Sequence, residues 1–179
     1  VISDFRQDDI INGGNGAPLM PLLDWYLFNK SNVITINIGG ISNISIIKKN
    51  KDRKNIIGFD TGPGMCLIDL YVKKYWNKGY DNNGLIASRG NIDKIMLDYL
   101  MKDHFVLKKS PKSASTEMYD SYYLSLLEKK FSNINRYNFL RTLVNFTANS
   151  IVENINKVST FLKLSNMDII ISGGGIKNK

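Results

Sequence analysis

The sequence contains a single cysteine, Cys66, a single histidine, His104, and four prolines in 179 residues. One cysteine excludes an internal disulfide and a metal site built from several thiolates, and it favours a reducing compartment such as the cytoplasm. No apolar run approaches the roughly 18 residues that a transmembrane helix needs. No basic segment followed by an apolar stretch marks a signal peptide. We therefore expect a cytoplasmic globular protein with no membrane partner.

Acidic residues are in the minority, since 16 Asp and Glu stand against 24 Lys and Arg, for a net charge of +8. Such a charge is compatible with nucleic-acid binding. Only five of the basic residues are arginines, however, and the lysines lie in scattered pairs. We therefore expect no nucleic-acid partner. The alternative, a basic nucleic-acid-binding module, predicts binding that weakens steeply with salt.

The most informative stretch is Gly58-Phe59-Asp60-Thr61-Gly62-Pro63-Gly64. An apolar pair, Ile56-Ile57, precedes it, and a helical pattern from Met65 to Tyr75 follows it. The pattern predicts that Asp60 ends a buried strand, and that the next helix directs free N–H groups towards an anion. Two interpretations of Asp60 remain open here: a catalytic carboxylate, or a simple cap of that helix.

Three further glycine-rich segments are candidate binding loops. Asp4 and Arg6 precede the loop 12–18, which contains Gly13, Gly14 and Gly16, and Gly39-Gly40 forms a predicted hairpin tip with Ser42 and Asn43 beside it. Backbone N–H groups at such a tip can hold phosphate oxygens. Gly173-Gly174-Gly175 follows a predicted strand. Asp81 is a second candidate carboxylate, and His104 is predicted to lie in the last turn of a helix rather than to act as a catalyst.

Apolar periodicity predicts an alternation of strands and helices. After a short strand-like start over residues 1–6, a helix is expected behind Pro18, and three strands are expected to form a meander. Helices are expected after the meander, followed by a fully buried strand near the end of the sequence. The predicted strands are 32–37, 42–48, 55–60 and 168–171, and the later helices 65–75, 92–102, 117–131 and 137–164.

This order resembles half of an actin-like ATPase domain, which has a ribonuclease H-like α/β fold. Six stretches are similar, in order and wording, to anhydro-N-acetylmuramic acid kinases: DFRQDDIINGGNGAPLMP, NIGGISN, GFDTGPG, YDNNG, PKS, and SGGG followed by Asn178. The resemblance implies a mixed sheet whose three-strand meander is flanked by helices, in a fragment of a two-lobe kinase. Residues 1–30 would end the first lobe with a sugar-binding loop. Residues 31–179 would form the second lobe, with a second phosphate loop and an adenosine loop.

The resemblance also implies an activity. Such a kinase uses ATP and Mg²⁺, opens the 1,6-anhydro ring of anhydro-N-acetylmuramic acid with water, and phosphorylates O6 during peptidoglycan recycling. Asp60 matches the catalytic base, and Asp4, Arg6, Gly13, Gly14 and Gly16 match the sugar site. The ATP site would comprise Gly39, Gly40, Asn43, Gly62, Gly64, Gly173, Gly174 and Gly175. No protein metal ligands are implied, and the family leans towards a homodimer.

Three departures from the family pattern bear on activity. Met65 stands where the family usually has Asn, and Ala114-Ser115-Thr116-Glu117 replaces Thr-Gly-Arg-Glu, so that an Arg is lost. The family's amino-terminal phosphate loop and its carboxy-terminal segment have no counterpart in these residues. We therefore expect the 179-residue polypeptide alone to show no kinase activity. Another sugar kinase of the superfamily and a non-catalytic relic remain alternatives.

Overall fold

The computed structural model describes residues 6–14, 16–162 and 166–178. The predicted strand-like start, including Asp4, lies outside the described residues, apart from Arg6 in a turn. Two helices precede the sheet: α1 (Gln7–Ile11) and α2 (Met20–Phe28). Helix α2 confirms the prediction made from the leucine spacing, with a proline in its first turn. Helix α1 was not predicted from the sequence.

A mixed sheet forms the centre of the fold. Strands β1 (Val33–Ile38), β2 (Ile41–Ile47) and β3 (Ile57–Pro63) form an antiparallel meander, and a 3₁₀ turn at Arg53–Asn55 leads into β3. Strand β4 (Asp168–Ser172) pairs with β1 in parallel, and the strand order is β3-β2-β1-β4. The predicted three-strand meander and mixed sheet are therefore confirmed.

Among the described residues, five α-helices lie between β3 and β4. They are α3 (Cys66–Trp76), α4 (Lys94–Leu100), α5 (His104–Leu107), α6 (Ser121–Lys130) and α7 (Arg136–Leu162). The predicted helices match α3, α4, α6 and α7 with shifted ends, whereas α5 was missed. His104 does not end the predicted helix 92–102: it is the first residue of the single-turn α5, because the Asp103 carboxylate accepts hydrogen bonds from the N–H groups of Phe105 and Val106 and so starts a new helix.

The two faces of the sheet differ in chemistry because successive side chains of a strand point to opposite sides. One face is apolar and packs against Ile151 and Val158 of helix α7; its buried residues are Ile34, Ile36, Ile44, Ile46 and Phe59. The opposite face carries Thr35 and Ser45, which are directly paired across β1 and β2. Their hydroxyls donate to Oδ2 of the buried Asp24 in α2, at 2.7 and 2.6 Å. Asp24 thus fixes α2 to this polar face.

Two predictions about the strands were wrong. Strand β3 does not end at Asp60 but continues to Pro63, because its pairing with β2 extends to Ile41 through an irregularity between Ser42 and Asn43. Strand β4, predicted to be fully buried, is exposed along its length, with Ile169 58% and Ile171 52% accessible. It lies at the edge of the sheet and pairs on one side only, with β1.

Helix α7 is the longest helix and joins two buried clusters. Its middle packs on the sheet, and its first half packs with α3, α4 and α6 around residues such as Phe139, Leu143 and Phe146. This confirms that its apolar stripe is core. Within the part of the chain described above, no helix is both long and apolar enough to cross a lipid bilayer.

Candidate active site

Asp60 lies on the polar face of the sheet, beside Asn43. The pairing of β2 with β3 places these two residues opposite each other, and α2 covers the same face, with its Pro21 against Gly58. Asp60 is only 4% exposed. The alternation of side chains along the strands therefore brings a buried carboxylate and a carboxamide side by side on this face.

A loop along the free edge of β3 holds the Asp60 carboxylate. Oδ2 accepts hydrogen bonds from the Ala114 N–H at 2.7 Å and from the Ser113 hydroxyl at 3.0 Å, and the Asp60 N–H donates to the Lys112 carbonyl at 3.0 Å. Among the described residues, Oδ1 receives no hydrogen bond from the protein. One oxygen of the carboxylate is fixed, and the other is left for a ligand.

Asp60 does not cap the following helix. Helix α3 begins at Cys66, its N-cap residue is Met65, and no side chain bonds to its free N–H groups. The interpretation of Asp60 as a helix cap is therefore wrong, because its carboxylate is already bonded to a loop more than fifty residues further along the chain.

The pKa of Asp60 is raised above the usual aspartate value of 3.8, because burial disfavours the charged form. The Ala114 N–H, the Ser113 hydroxyl and the positive charges of Arg6 and Lys112 act in the opposite direction. A carboxylate that ionises at higher pH is a stronger base, which suits removal of a proton from water or a hydroxyl group.

A cleft of about 850 Å³ opens above Asp60. Arg6, Gly16 and residues 17–20 form one wall, Gly40, Ile41 and Asn43 form another, and Ser113–Thr116 with Met118 complete it. The cleft therefore brings together five residues that the sequence singled out: Arg6, Gly16, Gly40, Asn43 and Asp60. A cleft of this size, with convergent polar groups and a perturbed carboxylate, is a candidate active site.

The amino-terminal glycine loop is shaped by Asp9. The Asp9 carboxylate accepts a hydrogen bond from the Gly16 N–H at 2.7 Å, and its carbonyl accepts one from Gly14 at 2.7 Å. A Cβ atom on Gly14 would overlap the Asp9 carboxylate, which explains why a residue without a side chain occupies this position. Gly13 and Gly14 are not among the residues that line the cleft, so their sugar-binding role stays a prediction.

The hairpin tip is bonded to the start of α3. The Gly39 carbonyl accepts from the Met65 N–H at 2.8 Å, and the Gly40 carbonyl accepts from Gly64 at 2.8 Å and Cys66 at 3.2 Å. These N–H groups are therefore taken up by the hairpin tip, whereas within the described residues no such acceptor meets the next two N–H groups of α3, so their availability to an anion stays a prediction. Within the described residues, the N–H groups of Gly39 and Gly40 themselves meet no acceptor, so the tip keeps donors for a ligand.

Gly62 and Gly64 lie where close packing leaves little room for a side chain, which the sequence did not reveal. A Cβ on Gly64 would overlap the Gly39 carbonyl oxygen, and a Cβ on Gly62, which has a φ of +148°, would lie 3.3 Å from side-chain atoms of Val106 and Ser150. Neither lines the cleft. They allow β3 and the start of α3 to pack closely, and a contact of either glycine with ATP stays a prediction.

The triple-glycine loop lies at the end of β1. Gly173 has a φ of +91°, and a Cβ atom on Gly173 or Gly175 would collide with Ile38. Gly174 faces open space, and the side-chain amide of Asn178 is buried without a hydrogen-bond partner in the described structure. The loop contacts the turn at Asn82–Gly84.

Asp81, the second candidate carboxylate, accepts hydrogen bonds from the N–H groups of Ile86 and Ala87 at 2.8 and 2.9 Å and so holds its own loop together.

Sequence reasoning missed the roles of several cleft residues. Lys112, Ser113 and Ala114 were noted only as part of a motif, although they make the backbone and side-chain bonds to Asp60. Leu19, Met20 and Met118 carried no polar signal, whereas Ala17 and Pro18 belong to the loop that the sequence had singled out. No sequence signal marked Lys112, because its neighbours along the chain are mostly polar or basic and its burial is seen only in the structure.

Comparison with known proteins supports the resemblance. The family model described as anhydro-N-acetylmuramic acid kinase matches residues 1–179. Relatives of that name are 38% identical over 177 residues in Clostridioides difficile (strain 630) and 41% identical over 181 residues in Gamma-proteobacterium EBAC31A08. A third, from Vibrio cholerae, is 36% identical over 179 residues.

These alignments cover 98%, 100% and 99% of this chain, but 46%, 47% and 46% of the respective relatives. The chain thus spans about half the length of the curated relatives it matches. With its Asp60 cleft, its mixed sheet and a family match along all its residues, the chain belongs to the anhydro-N-acetylmuramic acid kinase family.

Proposed function

We propose that the protein containing this chain uses ATP to convert anhydro-N-acetylmuramic acid to N-acetylmuramic acid 6-phosphate, within the cytoplasmic recycling of peptidoglycan. The observation that carries the proposal is the Asp60 carboxylate, with Oδ2 fixed by Ser113 and Ala114 and Oδ1 left free at the floor of the cleft. Family membership supplies the substrate class.

Asp60 would act as the general base. Its free oxygen takes a proton from water, and the water oxygen bonds to the anomeric carbon while the bond from that carbon to the bridging oxygen breaks. The bridging oxygen stays on C6 and attacks the γ-phosphate of ATP, which releases ADP. Fixing Oδ2 limits rotation of the carboxylate, and such positioning lowers the entropic cost of the reaction.

Arg6 would bind the lactyl carboxylate of the sugar. Arg6 lines the cleft, close enough to Asp60 for its charge to lower the pKa of that group. A guanidinium binds a carboxylate through two parallel hydrogen bonds, which fixes orientation as well as charge. Asp4, Gly13, Gly14 and Gly16 would complete this wall.

The ATP site is assigned to two glycine segments. The N–H groups of Gly39 and Gly40 are available for phosphate oxygens, with Asn43 beside them and Gly62 and Gly64 supporting the turn. The loop 173–175 would receive the adenosine, since Gly174 faces open space and the buried Asn178 amide has no partner among the described residues. Mg²⁺ would be held by phosphate oxygens and water, as is usual for this ion, and would neutralise charge on the phosphates.

The remaining features of the proposal follow the family. The sheet would be part of an actin-like ATPase fold, with residues 1–30 in one lobe and 31–179 in the other, and the protein would act as a homodimer. One observation favours a non-catalytic relic instead. Thr116 stands where the family usually has Arg, and it lines the cleft, with its methyl group 3.7 Å from a Cβ placed on Gly40.

Phosphorus NMR of the full-length protein with ATP, Mg²⁺ and anhydro-N-acetylmuramic acid tests the proposal. We expect a sugar 6-phosphate signal that grows in step with ADP, and no such signal when the anhydro sugar is replaced by its open form. Turnover of another sugar under the same conditions would assign the protein to a different sugar kinase. Failure with every sugar, and again after Thr116→Arg, would identify a relic.

A further inference from the structure

Lys112 is a lysine buried in apolar surroundings. It is 1% exposed, and its Nζ lies 4.8 Å from the centre of the Phe105 ring. The ammonium group donates to the carbonyl oxygens of Phe105 at 2.7 Å and Val106 at 3.0 Å. No carboxylate forms a salt bridge with it within the described residues. Burying a charge without a paired carboxylate is costly, so this arrangement calls for a specific role.

The two carbonyls belong to α5, a single helical turn that is bonded at both ends. Asp103 accepts from the N–H groups at its start, and Lys112 donates to the carbonyls at its end. Asn154 of α7 donates to the Thr61 carbonyl at 3.2 Å and to the Val106 carbonyl at 3.5 Å. Helix α5 is thereby attached to β3 at the residue next to Asp60.

The backbone of Lys112 and the next two residues contact Asp60 directly. The Lys112 carbonyl accepts from the Asp60 N–H, and Ser113 and Ala114 then donate to Oδ2 of the carboxylate. The Lys112 side chain therefore anchors, on α5, the same short segment that orients Asp60. Among the described residues, the hydrogen bonds of this segment go to Asp60 and, through the Lys112 side chain, to α5, and Ser115 and Thr116 beyond it are exposed.

We propose that Lys112 is a positioning residue for Asp60, acting through Ser113 and Ala114. It holds their two donors against Oδ2 and so directs Oδ1 into the cleft. This inference rests on the proposed role of Asp60 as base, and extends it to a residue that does not touch substrate.

Lys112→Met tests the proposal, because methionine has a similar shape but neither charge nor donors. Lys109→Met is the matched control, since it removes a positive charge from an exposed position three residues away. We expect the Ala114 amide of Lys112→Met to exchange hydrogen at least tenfold faster, while the Met96 amide of α4 is unchanged. We also expect kcat to fall roughly tenfold with the KM for ATP unchanged, and Lys112→Arg, which keeps the donors, to recover part of both effects.

The carboxyl carbon of Asp60 gives a second readout by NMR titration. Four charged groups act on Lys112, namely Lys157, Asp103, Lys108 and Asp60, and burial lowers the pKa of Lys112 to about 8. In the unsubstituted protein we expect the Asp60 and Ala114 signals to show a step near that pH, and in Lys112→Met we expect this step to vanish and the Asp60 pKa to rise.

Unchanged Ala114 exchange and Asp60 titration in Lys112→Met would overturn the proposal. A general loss of protection that includes Met96, or a failure to fold, would overturn it too, because either assigns Lys112 to the stability of the whole domain. Both readouts need no substrate. A protein without kinase activity would therefore refute the proposed function and still decide the role of Lys112.

Discussion

Gly64 lies against the carbonyl oxygen of Gly39, with no room for a side chain between them. The contact joins the hairpin tip to the start of α3. We expect Gly64→Ala to lower the free energy of unfolding by about 2 kcal/mol, because the added methyl group must displace backbone. Urea denaturation measures this loss. Gly79→Ala is the control, since a Cβ there meets no atom within 4 Å, and an equal loss in both variants would contradict the explanation.

Asp24 accepts two hydroxyl hydrogen bonds beneath α2. Asp24→Ala would leave the buried hydroxyls of Thr35 and Ser45 without a partner, so we expect a loss of about 2–4 kcal/mol in unfolding free energy. The triple variant Asp24→Ala, Thr35→Val, Ser45→Ala removes the unsatisfied groups as well. It should regain most of the stability in thermal and urea unfolding. Losses that simply add up across the three sites would show that the network has no such role.

Asp60→Asn separates catalysis from stability. If Asp60 is the base, as we propose, kcat/KM of the full-length protein should fall by about 10²–10⁴-fold in this variant. In the unsubstituted protein, kcat/KM should fall as the pH drops through the pKa of Asp60, which lies above 3.8, and the variant should lack this limb. A pH profile of both proteins checks the assignment, and a variant as active as the parent would remove Asp60 from the mechanism.

The same substitution should stabilise the fold at neutral pH. Because the folded state raises the pKa of Asp60, the folded protein binds the proton more tightly than the unfolded chain. Stability from this group is therefore present at low pH and lost as the pH rises through the folded pKa. Asparagine cannot ionise, so Asp60→Asn should unfold at a higher urea concentration at pH 7. The advantage should shrink as the pH approaches 4, and a constant difference would argue against it.

Arg6→Lys keeps the positive charge but removes the planar pair of donors. In the full-length protein we expect KM for the anhydro sugar to rise about tenfold, since the bidentate bond that we propose for the sugar carboxylate would be replaced by a point charge. The KM for ATP and the kcat should change little. Arg53→Lys, on an exposed 3₁₀ turn outside the cleft, serves as control. Equal effects on both substrates would place Arg6 elsewhere in the mechanism.

Local patterns predicted much of the fold and part of the candidate site. Alternating isoleucines and the Gly39-Gly40 tip defined the meander, and its register then places Asn43 beside Asp60. The bonds from Ser113 and Ala114 could not be predicted in this way, since they link positions 53 and 54 residues apart. Nor does an apolar run such as Ile169-Ile170-Ile171 say whether another element covers it, because burial depends on tertiary neighbours.

The start of the short helix α5 could have been predicted from the residues around it. Asp103 is an N-cap, and reading it so would have put His104 at the start of a helix instead of at an end. Gly64 shows the reverse case. Its motif suggested a ligand contact, whereas its close approach to Gly39 depends on how the hairpin folds back on α3.

The exposure of β4 would affect how a protein made of the described residues alone behaves at high concentration. Within those residues β4 pairs only with β1, so its other edge presents unpaired backbone N–H and C=O groups and its isoleucines are accessible, which is the arrangement that recruits a strand from a neighbouring molecule. Where β4 keeps this exposure, self-association would depend on these few residues more than on the net charge of +8. A lysine at Ile170 would then keep the protein dispersed by repelling incoming strands, at little cost to a core that does not include it.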